Sequence, residues 1–241
     1  MRLPTIEGII RRRILVNYRV DPTAIQRLLP SRFRPKLYEG RAIAGICLIR
    51  LEHIRPKVLP AFIGINSENA AHRVAVLWDD EQGVTREGVF IPRRDTSSEI
   101  NHLMGGRIFP GEHNKASFTI EESETEVSLS MESQDGQVKV GLVGRISDAL
   151  PTSSLFSSLS TASSFFEPGS LGYSVTGDAH RLDGVELETK VWRVEPFTLD
   201  RVNSSFFADE ERFPKGSVEF DHALIMRNIP HEWHSASDLY V

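Results

Sequence analysis

Three segments of alternating polar and apolar residues follow one another in the middle of the chain. They span Lys115–Glu122, Glu126–Glu132 and Gln137–Ile146. In the second segment Val127 and Leu129 alternate with polar residues, which is the pattern of a half-exposed β-strand. The gaps are long enough only for hairpin turns, so the three strands must pair antiparallel. The sequence therefore predicts a fold that contains an antiparallel meander.

The flanking sequence predicts further strands and only short helices. Asp21 and Pro22 are typical of a helix start, with the aspartate as N-cap and the proline in the first turn. Residues 151–166 are rich in Ser and Thr but carry apolar residues at helical spacing, which predicts an amphipathic helix. Ser97–Ser98 could cap another helix, ended by Gly105–Gly106. The other predicted strands are Ile9–Val20, Arg41–His53, His72–Trp78, Gly88–Arg93, Val185–Phe197 and Ser217–Arg227.

Roughly nine strands and three or four short helices predict an α+β fold with a large curled, mainly antiparallel sheet and helices packed on or inside it. The sequence contains no internal repeat and no segment with the composition of a linker. A chain of 241 residues is near the upper limit of what one hydrophobic core serves. We therefore expect a single domain over residues 1–241.

Charge and hydropathy limit the classes of partner. The net charge of −5 argues against a nucleic-acid-binding surface, which needs clustered positive charge. The sequence has no apolar stretch of signal-peptide or membrane-span length, so we expect a cytoplasmic protein without membrane contact. Cys47 is the only cysteine and lies in an apolar run, where we expect a buried small hydrophobe. A single cysteine excludes an intrachain disulfide and a thiolate zinc site.

The first candidate site is a polar cluster at residues 66–69, which we predict to form a loop. Glu68 lies there between the apolar segment Phe62–Ile65 and the strand that begins at His72. A carboxylate between buried strands can have a raised pKa and act as a general acid or base. The alternative is a surface turn whose Asn and Ser side chains bond to their own backbone.

The second candidate site consists of Arg93, Arg94 and Asp95, at the end of a strand and before a predicted helix. Arginine binds carboxylates and phosphates through two parallel hydrogen bonds, and a helix start adds backbone donors. These residues therefore suit an anionic ligand. The alternative is an Arg–Asp pair that braces the turn.

Other chemistries lack their sequence signals. His231 and His234 do not have the i, i+4 spacing that places two metal ligands on one helix face, so we expect no metal site. None of the six lysines has a lysine neighbour to keep it neutral for Schiff-base chemistry, and the two best candidates, Lys115 and Lys190, fit solvated strand residues. No glycine-rich phosphate loop is present, and we expect no cofactor.

The opening of the chain resembles acetoacetate decarboxylase. Arg11 is followed by Tyr18-Arg19-Val20-Asp21 and then by a short helix that ends at Leu28-Leu29-Pro30. The resemblance makes Arg11 the counterpart of an arginine that lines the pocket of that enzyme. It also makes Glu68 the counterpart of a pocket glutamate.

The resemblance breaks down at the catalytic lysine. Arg94–Asp95 is similar to the Arg-Glu pair that precedes a Pro-Lys-Lys element in the decarboxylases, but this chain continues from Thr96 to His102 without a lysine. The resemblance therefore implies a decarboxylase-like pocket that has no Schiff-base lysine.

Nearly the whole chain is similar to the YqjF-like family of uncharacterised bacterial proteins, within the acetoacetate decarboxylase-like superfamily. The strings that carry this likeness are Ala44-Gly45-Ile46-Cys47-Leu48-Ile49-Arg50, Ser67-Glu68-Asn69, Ile91-Pro92-Arg93-Arg94-Asp95, Ser204-Ser205-Phe206-Phe207 and His231-Glu232-Trp233-His234. The family has no agreed activity to transfer, and a shared fold does not fix function.

The sequence leads to one pocket hypothesis with two outcomes. We expect Arg11, Arg93, Arg94 and Asp95 to bind a small molecule with a carboxylate or carbonyl group. If the protein is an enzyme, we expect Glu68 to act as acid or base in a lyase, cyclase or dehydratase reaction without a covalent imine. The alternative is a binding or sensing protein that performs no chemistry. The decarboxylases assemble into large homo-oligomers, so the resemblance also implies a possible homo-oligomer.

Overall fold

The computed structural model describes residues 4–104 and 111–241 of the chain. The helices are α1 (Pro22–Gln26), α2 (Glu99–Met104) and α3 (Leu159–Phe166), and a short 3₁₀ turn spans Ala61–Ile63. The strands are β1 (Ile6–Val20), β2 (Arg34–Pro35), β3 (Leu37–Tyr38), β4 (Arg41–Pro56), β5 (Ile65–Asp79), β6 (Thr85–Thr96), β7 (Asn114–Glu122), β8 (Glu126–Ser133), β9 (Lys139–Ile146), β10 (Leu171–Val175), β11 (Arg181–Thr189), β12 (Glu195–Ser204), β13 (Val218–Ser235) and β14 (Leu239–Tyr240).

Hydrogen bonds between strands close the sheet into two rings. The large ring runs β6-β7-β8-β9-β12-β13-β1-β4-β5 and returns to β6. The small ring leaves β6 through β10 and β11 and rejoins the same strands at β13. Most neighbours are antiparallel, whereas β6 pairs in parallel with β7 and β10. The prediction of an α+β fold with a large curled, mainly antiparallel sheet is confirmed, and the sheet is closed.

The five strands that both rings share, β13, β1, β4, β5 and β6, are packed on both faces. On one face, Ile14 and Leu48 belong to a cluster that includes apolar residues of the β7–β9 meander, and we call it the meander core. On the other face, Ile10 and Leu15 pack with residues of α3 in a second cluster, the helix core. Burial on both faces explains why β4 reads as a nearly continuous apolar run.

Side-chain caps fix the helix starts as the sequence predicts, with one change in length. The Asp21 carboxylate accepts from the backbone N–H of Thr23 and Ala24 at 2.8 and 3.1 Å. The helix predicted from residue 151 begins only at Leu159, because Ser158 caps it and residues 151–158 form turns and bends. Ser98 Oγ accepts from Asn101 N at 3.2 Å, as predicted, and Gly105–Gly106 lies outside the described residues.

Two strand predictions need correction. Residues 66–69 are part of β5 and not a loop, because their backbone pairs with β4 on one side and, at Asn69, with β6 on the other. The strand predicted at Val185–Phe197 consists of two strands, β11 and β12, separated by residues 190–194. No described helix is long and apolar enough to cross a membrane.

Candidate functional site

A cavity lies on the helix-core face of the shared strands, under β10 and β11. Its volume is about 120 Å³, well above the ~10–15 Å³ that one water needs. Its wall is largely apolar. The apolar wall residues are Ile49, Leu51, Ile54, Ala70, Ala71, Val89, Ile91, Val185, Leu187 and Trp233. We call this space the arginine cavity, because Arg13, Arg73 and Arg94 also line it.

A β-bulge directs Arg13 into the arginine cavity. In the pairing of β1 with β4, Ile10 lies opposite Leu51 and Arg12 lies opposite Arg50, which leaves Arg11 as an extra residue. An extra residue reverses the alternation of side chains that follow it. Ile10 and Arg13 therefore share one face although three positions separate them.

A second irregularity directs Arg94 into the same cavity. In the pairing of β5 with β6, His72 lies opposite Arg93 and Val74 lies opposite Phe90, so two residues of β6 oppose Arg73 alone. Pro92 is one of these two. Proline has no backbone N–H, so it cannot donate a hydrogen bond to the neighbouring strand. Arg94 consequently faces the cavity, where its Nε donates to Ser174 Oγ at 2.9 Å.

Arg73 enters the cavity from β5, and a buried hydrogen-bond chain holds it. Its Nη2 donates to Asn17 Oδ1 at 2.5 Å, and Asn17 Nδ2 contacts His222 Nε2 at 3.1 Å. His222 Nδ1 lies 2.6 Å from Asp221 Oδ2. Because the aspartate accepts from Nδ1, Nε2 is left to accept from the Asn17 amide. The chain therefore fixes which way Asn17 points and presents its oxygen to Arg73.

The three arginines of the cavity form no ion pair with a described carboxylate. Among the described residues, no Asp or Glu oxygen lies within 4.0 Å of a guanidinium nitrogen of Arg13, Arg73 or Arg94. Burial lowers the pKa of Arg73 to about 10, and the positive charge of Arg13 adds to this effect while Cys47 opposes it. Burial also lowers the pKa of Arg94 to about 10, with Cys47 and Asp183 opposing. Both arginines stay charged at neutral pH.

Other polar residues line the same space, among them Cys47, Asn101 and His113. Cys47 projects from β4, and Arg13 Nε donates to its Sγ at 3.2 Å. Asn101 of α2 and His113, just before β7, also line the cavity. Burial lowers the pKa of His113 to about 3, and the positive charge of Arg94 contributes. His113 is therefore a neutral imidazole at physiological pH.

Glu68 lies on the opposite face of β5 and does not line the arginine cavity. Its carboxylate pairs with Arg12 Nη2 at 2.6 Å and with Arg50 Nη1 at 3.2 Å, and Arg12 also pairs with Glu122 at 2.7 Å. Burial raises the pKa of Glu68, while the two arginines oppose that rise. The geometry is that of a buried ion-pair cluster in which Arg12, fully enclosed, is neutralised from two sides.

The other predicted ligand-binding residues do not all lie at the arginine cavity either. Arg93 lies on the meander-core face, where it pairs with Asp95 at 2.8 Å and with Asp135 at 3.0 Å. Burial raises the pKa of Asp95, and Arg93 opposes this. Asp95 also borders the cavity. Arg11 is exposed and donates to Asn228 Oδ1 at 2.6 Å. Of the predicted set, the structure brings only Arg94 and Asp95 to the cavity.

Sequence reasoning missed Arg13, Arg73 and Cys47 as cavity residues. One signal was available for Arg73, since it interrupts an apolar strand in which a charged residue needs a special reason. Arg13 belongs to a visible run of three arginines, but its direction depends on the bulge. Cys47 is buried in the helix core, as predicted, and borders the cavity as well.

None of the six lysines, all of which lie among the described residues, lines the arginine cavity. Lys115 Nζ donates to Ser97 O and pairs with Glu99, both at 2.6 Å. Lys36 lines a smaller neighbouring recess, where it pairs with Glu87 at 2.6 Å. The cavity thus offers guanidinium groups and no primary amine.

Residues 231–234 form part of β13 and pair with β1 and β11. Trp233 contributes its side chain to the cavity wall. Burial lowers the pKa of His231 to about 4. In residues 4–104 and 111–241 no group of three or more His, Cys, Asp or Glu side chains is arranged to hold a metal ion.

A family model described as an uncharacterized conserved protein, DUF2071, matches residues 10–227. The chain belongs to this family. Membership in the DUF2071 family confirms the prediction of an uncharacterised family, and the structural likenesses below show that the chain has the acetoacetate decarboxylase-like fold. A search of curated protein sequences finds no significant match.

Solved structures similar to this DUF2071 protein share its fold at low sequence identity. An acetoacetate decarboxylase-like enzyme from Sphingomonas wittichii RW1 is 14% identical, with a TM-score of 0.59 over 99% of this chain and 93% of that one. Acetoacetate decarboxylase from Legionella pneumophila is 15% identical, with a TM-score of 0.58 over 98% and 88%. The enduracididine biosynthesis enzyme MppR, in complex with pyruvate, is 10% identical, with a TM-score of 0.55 over 98% and 89%.

Proposed function

We propose that this protein binds a small, partly apolar molecule bearing a carboxylate in the arginine cavity. One observation carries the proposal: Arg13, Arg73 and Arg94 line a single, mostly apolar cavity, and no described carboxylate pairs with any of them. Burying cations without counter-charges costs several kcal/mol each, which an anionic ligand offsets. Guanidinium groups also match the planar geometry of a carboxylate.

The fold relatives support the class of ligand. One neighbour is named for acetoacetate, and another was solved with pyruvate. Both molecules are small oxo acids. We propose the same class for this chain, bound without an imine because no lysine reaches the cavity. Binding requires no acid or base, so the proposal covers both a binding protein and an enzyme.

Thermal unfolding with matched ligands tests the proposal. Pyruvate, acetoacetate and benzoate are compared with their uncharged amides, so that each pair differs only in the carboxylate. A ligand at 100 times its Kd stabilises the fold by about 2.7 kcal/mol, which for a chain of this size raises Tm by roughly 5–10 °C. We expect saturable shifts with acids and none with the amides.

Two variants and one control locate the site. Arg73→Gln and Arg94→Gln should each weaken carboxylate binding by about tenfold or more, the worth of a charge-assisted hydrogen bond. Arg145→Gln removes an arginine that is exposed and paired with Asp200 at 2.6 Å, and it should bind as the parent does. Equal shifts with acids and amides, or equal affinity in all three variants, would refute the proposal.

Borohydride reduction tests the absence of an imine separately. With pyruvate or acetoacetate present, we expect no mass increase on any lysine. A reduced adduct on Lys36 or Lys115 would show that an amine reaches the ligand and would overturn the non-imine part alone.

A further inference from the structure

Cys47 occupies a position in the arginine cavity that suits a nucleophile. It lies on β4 between Leu15 of β1 and Ala71 of β5, and its side chain is 7% exposed. Arg13 Nε donates to Sγ at 3.2 Å. This is the one side-chain hydrogen bond that Arg13 makes to the described residues, so its two Nη groups are available to a ligand beside the sulfur.

The other two guanidinium groups line the same cavity as the sulfur. Cys47 interacts electrostatically with both Arg73 and Arg94. A cysteine sulfur is a nucleophile, and the guanidinium groups that line the same cavity can bind a carboxylate beside it. Cys47 thus combines a nucleophilic atom with a surrounding set of carboxylate binders.

Two buried polar groups independently indicate that a ligand completes this cavity. Arg73 is 5% exposed and Asn101 is 4% exposed, and both line the cavity. Arg73 Nε and Asn101 Oδ1 have no hydrogen-bond partner among the described residues. Buried polar atoms are almost always paired in folded proteins. The Asn101 side chain lines the cavity and makes no hydrogen bond to a described residue, so its amide can take a ligand in the cavity as its partner.

We propose that Cys47 is a carboxylate-directed nucleophile that adds to α,β-unsaturated carboxylates held by Arg13, Arg73 and Arg94. This inference rests on the proposed function and adds a substrate class and a covalent step to it. The carboxylate of such a ligand is two bonds from the electrophilic β-carbon, so clamping the carboxylate at the arginines holds the β-carbon close to Sγ.

The addition step balances without another reactant. The thiolate forms a C–S bond at the β-carbon, and the π electron pair of the double bond moves to the α-carbon and onto the carboxylate. The α-carbon then takes up one proton, which replaces the proton lost by the thiol, so the net change is addition of S–H across the double bond. Charge develops on the carboxylate during this step, where the guanidinium groups stabilise it.

A matched pair of probes tests the inference. Acrylate and acrylamide present the same electrophilic carbon, and only acrylate carries the carboxylate. Cys47 is the only cysteine of the chain, so the part of the mass gain that Cys47→Ser abolishes reports on this residue. The ratio of the acrylate rate to the acrylamide rate is measured for the folded protein and for the protein unfolded in urea, which corrects for intrinsic reactivity.

We expect folding to raise this ratio by about tenfold or more, the effect of one charge-assisted hydrogen bond to the carboxylate. Arg94→Gln should lower the acrylate rate by a similar factor and leave the acrylamide rate nearly unchanged. Arg145→Gln, outside the cavity, should change neither rate. If Arg94→Gln does not fold, Arg94→Lys takes its place, and the ratio of the two rates in the parent protein still tests the inference. An equal ratio in the folded and unfolded states overturns the inference.

Propionate separates this inference from the proposed function, because it has the carboxylate of acrylate and no double bond. If propionate stabilises the fold and protects Cys47 from iodoacetamide while the acrylate ratio stays flat, the nucleophile proposal fails and carboxylate binding stands. If propionate does neither and the ratio stays flat, both fail. Cys47→Ser should keep propionate binding and abolish the mass gain with acrylate.

Discussion

His72 gives this fold a sensitivity to acid that can be calculated. Its side chain is fully buried on the meander-core face of β5, with its ring centroid 4.4 Å from that of Phe206. Neither ring nitrogen has a hydrogen-bond partner among the described residues. Burial lowers the pKa of His72 from 6.5 to about 3, and the positive charges of Arg93 and Arg212 contribute.

The sign and size of the effect follow from proton binding. The unfolded chain takes up a proton at this histidine near pH 6.5, whereas the folded chain does not until about pH 3. The stability contributed by neutral His72 is therefore complete above pH 6.5 and is lost as the pH falls towards 3. Between pH 7 and pH 5 the loss from this one group is about 2 kcal/mol.

Urea unfolding of His72→Leu at pH 7 and pH 5 measures this contribution. Leucine fills a similar volume and has no polar atom to bury, so we expect nearly unchanged stability at pH 7. Between pH 7 and pH 5 the variant should lose about 2 kcal/mol less than the parent. His180→Leu, at an exposed position, serves as the control and should follow the parent. Parallel losses in the parent and His72→Leu would refute the reasoning.

Three further substitutions test the packing and the site. Gly45→Ala should cost about 2–3 kcal/mol in urea unfolding, because its Cβ would overlap the carbonyl oxygen of Val16; an unchanged midpoint would contradict the strand packing. Phe156→Ala should cost about 3–5 kcal/mol, since the ring is buried and stacks on Tyr38 at 4.1 Å; a loss below about 1 kcal/mol would argue against this packing. Asn17→Asp should weaken carboxylate binding about tenfold in calorimetric titration by placing a negative charge against Arg73; undiminished affinity would exclude Arg73 from the site.

Much of the fold could be predicted because its determinants are local. The meander strands β7 to β9 follow from period-2 alternation, and α1 follows from Asp21 and Pro22 alone. The start of α3 is harder to predict from the sequence, because serines at several positions could cap a helix. In the structure Ser158 is the cap. Polar residues of β5 such as Glu68 looked like a loop because their partners are distant in sequence: Arg12 is 56 residues away.

The site could be predicted only in part, because β-bulges decide which way its side chains point. Alternation along an unbroken β1 would put Arg13 on the same face as Arg11, yet Arg13 enters the cavity while Arg11 is exposed. The extra residue at Arg11 is set by how β1 pairs with β4, which no local pattern encodes. The same holds for Arg93 and Arg94. The irregularity at which two residues of β6 oppose Arg73 decides which face of the sheet each of them occupies.

The choice of arginine limits what the cavity can do. A lysine buried in apolar surroundings can lose its proton and attack a carbonyl carbon, as Schiff-base chemistry requires. Arg73 and Arg94 are comparably buried, yet with pKa values lowered only to about 10 they remain cations at neutral pH. Such groups hold and polarise a carboxylate, and they do not form a bond to it. Any covalent step in this cavity must therefore come from another side chain, and Cys47 is the nucleophile that Arg13 already contacts.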